Sequence, residues 1–418
     1  MKSYIDALMK TKNFDAFIVL GDAQHNPPMF YFTGGGHINN AILVKQLGKE
    51  PILFCNDMER EEASRSGLQI HCFSEYPYEI LLEEAKGDPV LAGALRLKQM
   101  LTHLGLVRGN VSLYGQTEFG SSYANFCQLQ KIMPDLNFIG EARDASIFMK
   151  AMETKDKGEV ARIRQMGQIT TTVVGKVAEY LTNCEVDENE ALIQENGSNL
   201  TIGDVKGKIN LWLAEAGVEN PHGTIFAIGH DAGVPHSTGT PTDLIKLGQT
   251  IVFDIYPCEA GGGYHYDFTR TWCLGYAPPK ALNLYKQVYS VYKKVFENLD
   301  LNAPYKDYQR LACDMYETDG HPTPQTHKAP IEGYVHSLGH GVGLNIHERP
   351  WSGLTADDDN RLAAGVVATI EPGLYYPNEN LGVRLEDTFW VNPDGKFEIL
   401  AQYPLDLVLP MKRWKKKK

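Results

Sequence analysis

Two stretches of this sequence each combine an apolar strand, a tight turn and a second apolar strand, and in each a carboxylate of the first strand can be matched with one of the second. The first is TIVFDIYPCEAGGGYHYDFTRTWCLG, at residues 250–275, and the second is VVATIEPGLYYPNENLGVRLEDTFWV, at residues 366–391. Apolar strands joined by a short turn containing Gly or Asn predict β-hairpins. Acids in the middle of such strands would be buried, and burial of charge requires compensation.

The two hairpins are predicted to bring their acids together in pairs. Folding the first about Ala260–Gly261 places Asp254 opposite Asp267, and directly opposed residues share a face with Cβ atoms about 5 Å apart. Folding the second about the Asn-Glu pair in its turn places Glu371 opposite Glu386. Each later acid is followed, two positions on, by a threonine on the same strand face. This repeated arrangement indicates a pseudo-symmetric domain with a site at its centre.

Metal binding is the compensation that four such acids favour. Two bare carboxylates side by side in a buried region would repel, and one would stay protonated. Four acids with one imidazole suit two metal ions about 3.5–4 Å apart that share carboxylate oxygens. Mostly oxygen ligands with one nitrogen favour Mn²⁺, Co²⁺, Fe²⁺ or Zn²⁺ over copper. A lone strand acid is more often a surface or edge charge, but four acids at matching positions argue against that alternative.

The imidazole can come from HSLGHGVGLNIHERP, at residues 336–350, which carries three histidines. The spacing of His336 and His340 matches that of an HExxH zinc helix. The Glu of that motif is absent, however, and GHGVG is too rich in glycine for a helix interior. A strand or loop is therefore predicted, in which even spacing keeps both rings on one face. The residues alone do not decide which histidine binds a metal.

The length of the chain and the pattern of its predicted strands and helices indicate two domains. The chain has 418 residues, too many for one ordinary core. Residues 1 to about 145 alternate helical stretches with short apolar runs that predict strands, which together predict an α/β domain. The predicted strands are DAFIVLG, NAILVKQ, PILFC, VSLYG and LNFIG. A charged helical segment, MKAMETKDKGEVARIRQMG, follows a boundary near residue 150, and the helical region is predicted to continue through ENEALIQENG. Beyond it, short strands and helices at 279–299 and 304–319 predict an α+β domain with helices segregated from an antiparallel sheet.

Charge and composition exclude some partners. The net charge of −12 disfavours a nucleic-acid partner, and the one dense basic run, MKRWKKKK, is expected to be a solvated, mobile terminus. The sequence has no run of about 18 apolar residues, so no membrane span is predicted. Its first residues do not have the pattern of a signal peptide. Seven scattered cysteines without a CxxC pair indicate reduced thiols, so a cytoplasmic location is expected.

Six segments together resemble a known family. VPHS, FDIY, YDFTRT, HSLGHGVGLNIHE, IEPGLY and GVRLEDT occur in this order between residues 234 and 390. As a set they resemble the prolidases and Xaa-Pro aminopeptidases of metallopeptidase family M24, which have the pita-bread (creatinase/aminopeptidase-like) fold. The preceding α/β half looks like that family's creatinase-like N-terminal domain. The resemblance thus implies an N-terminal domain at 1–150 and a catalytic domain at 151–418.

The resemblance assigns roles to individual residues. The implied metal ligands are Asp254, Asp267, His340, Glu371 and Glu386. Glu371 would also be the general base and acid, and His236 and His347 would be catalytic residues that bind substrate and stabilise the charged intermediate. His336 and Arg384 would bind substrate, with Arg384 on its proline side. The implied cofactors are two divalent ions, with Mn²⁺ favoured over Co²⁺, Zn²⁺ or Fe²⁺.

The implied activity is removal of the N-terminal residue from Xaa-Pro peptides through a metal-bridging hydroxide, by a homodimer acting on small peptides. One alternative is a prolidase restricted to Xaa-Pro dipeptides. Another is a non-peptidase hydrolase or lyase of the same fold, such as an ectoine-hydrolase-like enzyme. A binding protein without activity is a third, although members that only bind partners have typically lost metal ligands.

The sequence departs from the family pattern around the first hairpin. The usual Asp-x-Gly is replaced by Asp254-Ile255-Tyr256, and the hairpin tip is two residues longer. An insertion of two keeps strand parity, so the ligands still face each other. Tyr266 stands before Asp267, where a small residue is usual, and either packs on the opposite strand face or alters the pocket. The longer tip favours an aminopeptidase over a dipeptidase.

Overall fold

The computed structural model describes residues 4–414, and contacts within the chain divide it into two compact units. The first comprises Met1–Met152 with Gly261–Gly263, and the second comprises Glu153–Ala260 with Tyr264–Lys418. The last four lysines of the basic run lie outside the described residues, whereas the run's earlier residue Lys412 donates its backbone N–H to the Thr182 carbonyl. All seven cysteines are free thiols. Between residues 4 and 414, no helix is long and apolar enough to cross a membrane.

The first unit alternates strands and helices. Its elements are α1 (Ile5–Thr11), β1 (Ala16–Gly21), α2 (Pro27–Thr33), β2 (Ala41–Gln46), β3 (Ile52–Cys55), α3 (Arg60–Ser64), β4 (Gln69–Cys72), α4 (Tyr78–Glu84), α5 (Pro89–His103), β5 (Gly109–Gln116), α6 (Phe119–Ile132), β6 (Leu136–Ile139) and α7 (Ile147–Met152). The strands form one mixed sheet in the order β4-β3-β2-β1-β5-β6. The predicted α/β organisation is confirmed.

A continuous apolar sequence explains why β1 lies in the middle of this sheet. Strand β1, AFIVLG, is buried along almost its whole length, and it pairs in parallel with β5 and antiparallel with β2. A strand covered on both faces needs such a continuous apolar run. Helix α5 begins at the N-cap Asp88, whose carboxylate accepts the backbone N–H groups of Val90 and Leu91, and it buries Leu97 and Leu101 in the core of this unit.

The second unit contains two larger antiparallel sheets and four long helices. Its elements are α8 (Lys157–Asn183), β7 (Glu185–Val186), β8 (Leu192–Ile193), α9 (Ile202–Glu215), β9 (Val218–Glu219), β10 (Thr224–Ile228), α10 (Gly229–Ala232), β11 (Thr250–Ile255), β12 (Cys258–Glu259), β13 (Phe268–Leu274), α11 (Pro279–Glu297), α12 (Lys306–Thr318), β14 (His340–Gly341), β15 (Glu348–Trp351), β16 (Val367–Ile370), β17 (Gly373–Tyr376), β18 (Leu381–Arg384), β19 (Asp387–Val391), β20 (Phe397–Ile399) and β21 (Val408–Leu409). The sheet orders are β10-β11-β13-β21 and β15-β14-β16-β19-β20. Only the β13–β21 pairing within these two sheets is parallel.

One helical prediction in this unit is wrong. ENEALIQENG forms turns and β8 instead of continuing α8. The carboxylate of Asp187 accepts the backbone N–H groups of Asn189 and Ala191, both at 2.8 Å. Such local side-chain bonds offer the backbone an alternative to the helix. Gly197 adds a left-handed φ of 85° that ends any regular continuation. The helices predicted at 279–299 and 304–319 are confirmed as α11 and α12.

Candidate metal centre

The first acid-bearing hairpin, β11–β13, has a different register from the predicted one. Asp254 lies opposite Thr269, and the register is offset by two residues from the predicted pairing with Asp267. The turn is centred on Gly261–Gly262, where φ is 82° and 76°. Two successive positive φ values suit glycine far better than alanine, so Ala260 does not occupy the centre. A shift of two preserves parity, and Asp254 and Asp267 still belong to the same face.

The second acid-bearing hairpin has the predicted register. Strand β16 pairs with β19 through Ile370 and Asp387, and β17 pairs with β18 through Gly373 and Arg384. Both pairings follow one register, in which Glu371 and Glu386 are the intervening residues. The backbone N–H of Glu371 donates to the Leu338 carbonyl at 2.8 Å, which connects this acid to the segment that carries His340.

The two hairpins meet at the threonines that follow the later acids. Thr269 forms an antiparallel bridge with Glu386, and its hydroxyl donates to Glu386 Oε2 at 2.7 Å. Thr388 donates its hydroxyl to the backbone carbonyl of Asp267 at 2.8 Å. Each threonine therefore contacts the opposite hairpin, and the pairs of acids are brought to a common centre.

His340 is the histidine directed at the acids. It begins the short strand β14, so the prediction of a strand or loop is confirmed. Its Nδ1 contacts the Gly341 carbonyl at 3.0 Å, while Nε2 lies 3.3 Å from Glu371 Oε1 and 3.6 Å from Asp267 Oδ2. A hydrogen bond at one ring nitrogen that directs the other toward a ligand position is the usual arrangement of a metal-binding histidine.

Ligand atoms converge in overlapping sets. One atom from each of His340, Glu371 and Glu386 lies within 4.8 Å of the others, and the same holds for Asp254, Asp267 and Glu386. A further set joins His347 to Asp267 and His340, although His347 was not expected to be a ligand. The structure therefore brings the five predicted ligands to one place.

The electrostatics of this cluster fit a divalent cation. Within the described residues, Asp254 Oδ1, Asp267 Oδ1 and Glu386 Oε1 are buried and have no hydrogen-bond partner. Burial raises the pKa of Asp267 well above its usual value, as does the neighbouring charge of Asp254. Burial and the charge of Asp267 do the same to Glu386. Three buried oxygens directed at one centre lack the positive charge that a metal ion would provide.

Glu371 behaves differently from the other acids. Its burial opposes ionisation, but the hydrogen bond with His340 and the charge of that ring outweigh burial and lower the pKa of Glu371 to about 2. The same pair raises the pKa of His340 to about 9 against its burial. Without a metal, the two groups are thus an ion pair. Because metal ligands must be deprotonated, a cation bound here would displace the Nε2 proton of His340.

Arg384 is held against one of the acids. Its Nη2 lies 2.5 Å from Asp254 Oδ2, and its Nη1 donates to the Tyr375 hydroxyl at 2.9 Å and to the Pro235 carbonyl at 3.2 Å. The same tyrosine hydroxyl is 2.8 Å from Nε2 of His336. Tyr375 was not predicted, although it lies four positions after Glu371 and even spacing along a strand keeps residues on one face.

All nine predicted site residues line one cavity of about 490 Å³. They are Asp254, Asp267, His340, Glu371, Glu386, His236, His336, His347 and Arg384. His236 and His347 are exposed at this cavity, and the ring of His347 lies 4.2 Å from that of His340 at an interplanar angle of 79°. The cavity also contains residues that were not assigned to the site, among them His222, Tyr256 and Trp351.

Comparisons with known proteins agree with this geometry. The sequence pattern of metallopeptidase family M24 matches residues 161–393, more than half of the chain. The Xaa-Pro dipeptidase of Pyrococcus furiosus is 27% identical over 376 residues, which cover 88% of this chain and 89% of that protein. The solved structure of an Xaa-Pro dipeptidase from Bacillus anthracis matches with a TM-score of 0.74 at 18% identity, covering 97% of this chain and 98% of that one.

The X-Pro aminopeptidase structure from Thermotoga maritima matches with a TM-score of 0.71 at 20% identity, covering 94% of this chain and 97% of that one. At these identities the structural matches show the fold alone. The expected fold, an N-terminal α/β domain followed by a pita-bread domain, is confirmed.

Proposed function

Because the chain belongs to metallopeptidase family M24 and is a metal-dependent peptidase, we propose that it hydrolyses the Xaa-Pro bond of dipeptides at a centre of two divalent cations. The observation that carries this proposal is the convergence of four carboxylates and His340, with three carboxylate oxygens that have no partner among residues 4–414. Two of the overlapping ligand sets share Glu386, and a shared carboxylate suits two adjacent cations.

Several residues of the chain have distinct roles in the proposed reaction. When bound, two divalent cations supply Lewis acidity and lower the pKa of a coordinated water. Glu371 would accept the proton of the attacking water and return it to the leaving nitrogen, as a general base and then a general acid. His236 and His347, at the exposed part of the cavity, would donate hydrogen bonds to the oxyanion. Arg384 would orient Asp254 and favour its ionised form against the burial that raises the pKa of this acid.

Proline at the second position restricts the chemistry of recognition. The nitrogen of an Xaa-Pro bond is tertiary and has no N–H to donate. The site must therefore accept a ring instead of satisfying an amide donor. His336 and Arg384, joined through the Tyr375 hydroxyl, form a fixed polar wall of the cavity beside the acids, and we assign them to substrate binding.

Dipeptides are proposed as substrates because of the named relatives. The only feature that favours an aminopeptidase is the longer hairpin tip. In contrast, the Pyrococcus furiosus relative, which is named an Xaa-Pro dipeptidase, aligns over 89% of its length. The finer expectations of Mn²⁺ as native metal, a homodimer and a cytoplasmic location stay predictions. The non-peptidase alternative also requires metal ligands, so substrate turnover must decide it.

One assay tests the proposal. The protein is stripped of metal, restored with Mn²⁺ and offered an Xaa-Pro dipeptide and an Xaa-Pro-Yaa tripeptide, with products identified by mass. We expect cleavage of the dipeptide and little release from the tripeptide. Release of the first residue from the tripeptide would instead establish an aminopeptidase. No turnover of either peptide, with two metals bound per chain, would contradict the proposed substrate class and favour a non-peptidase hydrolase or lyase.

A further inference from the structure

Tyr256 occupies the catalytic cavity at a place that the proposed mechanism does not use. It follows strand β11 two residues after Asp254, and alternate residues along an extended chain share a face. Its side chain lines the same cavity as the five predicted ligands. Burial first, and then the charges of Asp254 and Asp267, raise the pKa of the Tyr256 hydroxyl. A phenol therefore lies on the acid-bearing side of the cavity.

The second unusual tyrosine of this hairpin lies elsewhere. Tyr266 is fully buried, and its hydroxyl donates to the Ala401 carbonyl at 3.2 Å. Its ring packs against helix α8 so closely that a Cβ atom on Gly167 would lie 2.6 Å from Tyr266 Cε2. Tyr266 is not among the residues that line the catalytic cavity. Of the two readings left open for this residue, packing is the one that the structure supports, and Tyr266 offers a matched control for Tyr256.

The cavity has a buried acidic end and an exposed end rich in histidine. Asp254, Asp267 and Glu386 are buried, and the Tyr256 hydroxyl experiences the charges of all three. His236 and His347 are exposed. The carbonyl of the N-terminal residue of an Xaa-Pro peptide is the group attacked, so this residue binds beside the metal ligands that line the cavity. Tyr256 lines the same cavity two residues after Asp254, so the side chain of the N-terminal residue and the phenol ring share this space.

From this placement, and resting on the proposed function, we propose that Tyr256 is a specificity-determining residue: its ring limits the size of the residue that precedes proline. The ring takes up volume in the cavity that also holds the five predicted ligands, where a large side chain would compete with it for space. Small residues such as alanine would fit beside the phenol, whereas phenylalanine would collide with it. The natural substrates are accordingly peptides with a small residue before proline.

The test compares Ala-Pro, Leu-Pro and Phe-Pro as substrates of the Mn²⁺-restored full-length protein. Tyr256→Ala is expected to raise the ratio of kcat/KM for Phe-Pro to that for Ala-Pro by about tenfold or more, the scale on which pocket size discriminates substrates. Tyr256→Phe, which keeps the ring, should leave the ratio within about twofold of the wild type. Tyr266→Phe should leave it unchanged. Tyr256→Leu provides an intermediate size in case the alanine variant is unstable.

Two further measurements separate this role from a structural one. Metal content per chain is determined for each variant, and inhibition constants are measured for uncleavable reduced-bond analogues of Ala-Pro and Phe-Pro. The analogues should change rank in Tyr256→Ala as the substrates do. Equal losses on all substrates, with the ratio unchanged in both Tyr256→Ala and Tyr256→Leu, would overturn the inference while leaving the proposed function intact. A wild type that cleaves none of the three peptides would overturn both.

Discussion

The β11–β13 hairpin and the hairpin formed by β16–β19 each supply two carboxylates to the centre, but their four acids are compensated differently. The earlier acid of each hairpin has a cationic partner, since Asp254 pairs with Arg384 and Glu371 pairs with His340. The later acids have weaker compensation: His340 Nε2 lies 3.6 Å from Asp267, and Glu386 accepts a hydrogen bond from the neutral Thr269 hydroxyl. One oxygen of each later acid, like Oδ1 of Asp254, has no hydrogen-bond partner among the described residues.

This difference indicates how charge is divided between protein and metal. Each earlier acid lies within 3.3 Å of a nitrogen of a basic side chain of the protein itself. Burial, and then the neighbouring negative charges, raise the pKa of both later acids well above the usual value. Burial also raises the pKa of Asp254, but there the charge of Arg384 opposes it. The later acids are the positions at which a bound cation would relieve the greatest electrostatic penalty.

The largest effect is expected when a later acid is neutralised. Asp267→Asn and Glu386→Gln should each lower kcat/KM for an Xaa-Pro dipeptide by about 1000-fold or more, because each removes a charged ligand from the centre. Metal content per chain, measured by mass spectrometry after dialysis, should fall in parallel. Asp394→Asn, at an exposed acid, is the matched control. Full metal content and activity in either variant would refute the ligand assignment.

A smaller effect should distinguish the threonines that follow these acids. Thr269 donates to the carboxylate of Glu386, whereas Thr388 donates only to the backbone carbonyl of Asp267. Loss of a hydrogen bond to a metal ligand typically costs about 10–100-fold in metal affinity or activity. Thr269→Val should therefore weaken Mn²⁺ binding, measured by calorimetric titration, by that amount, and Thr388→Val should weaken it far less. Equal weakening by both variants would show that the two hairpins are more alike than their contacts indicate.

Local patterns were sufficient for most strands and for the grouping of the acids. Alternation and apolar runs located β1, β2 and β3, because burial acts on each strand separately. The register of the second hairpin also followed from its sequence. That of the first did not, because the backbone conformation of Gly261–Gly262 outweighed the symmetry of the flanking strands. A shift of two residues preserved the face of both acids, so the cluster was predicted despite the wrong pairing.

Contacts between segments that are distant in the sequence could not be predicted from local patterns. The ion pair of Arg384 with Asp254 joins residues 130 positions apart, and nothing in the spacing of either hairpin indicates it. The Tyr375 hydroxyl contacts both His336 and Arg384 for the same reason. Strand β4, QIHC, was missed because a four-residue strand with two polar residues has too little periodicity to be distinguished from a loop.

The smallest expected effect concerns the stability of the metal-free protein. A carboxyl group with a raised folded-state pKa favours the fold below its unfolded pKa, near 4, and this contribution is lost as pH rises through the folded value. Because Asp267 and Glu386 are both raised, the Tm of the metal-free protein should fall by a few degrees between about pH 5 and pH 8. Calorimetry in the presence of a chelator measures this decline, and Mn²⁺ should reverse it.

Variants of the two hairpins should separate these contributions. Asp267→Asn should flatten the decline, because it removes a group whose ionisation opposes folding. Glu371→Gln should instead lower Tm throughout this range, since the pKa of Glu371 is lowered to about 2 and its ionised form pairs with His340. That contribution would be lost only as pH falls below about 4 toward 2. If both variants changed Tm in the same direction, Glu371 and Asp267 would not differ in compensation, and the division of charge between protein and metal would have to be abandoned.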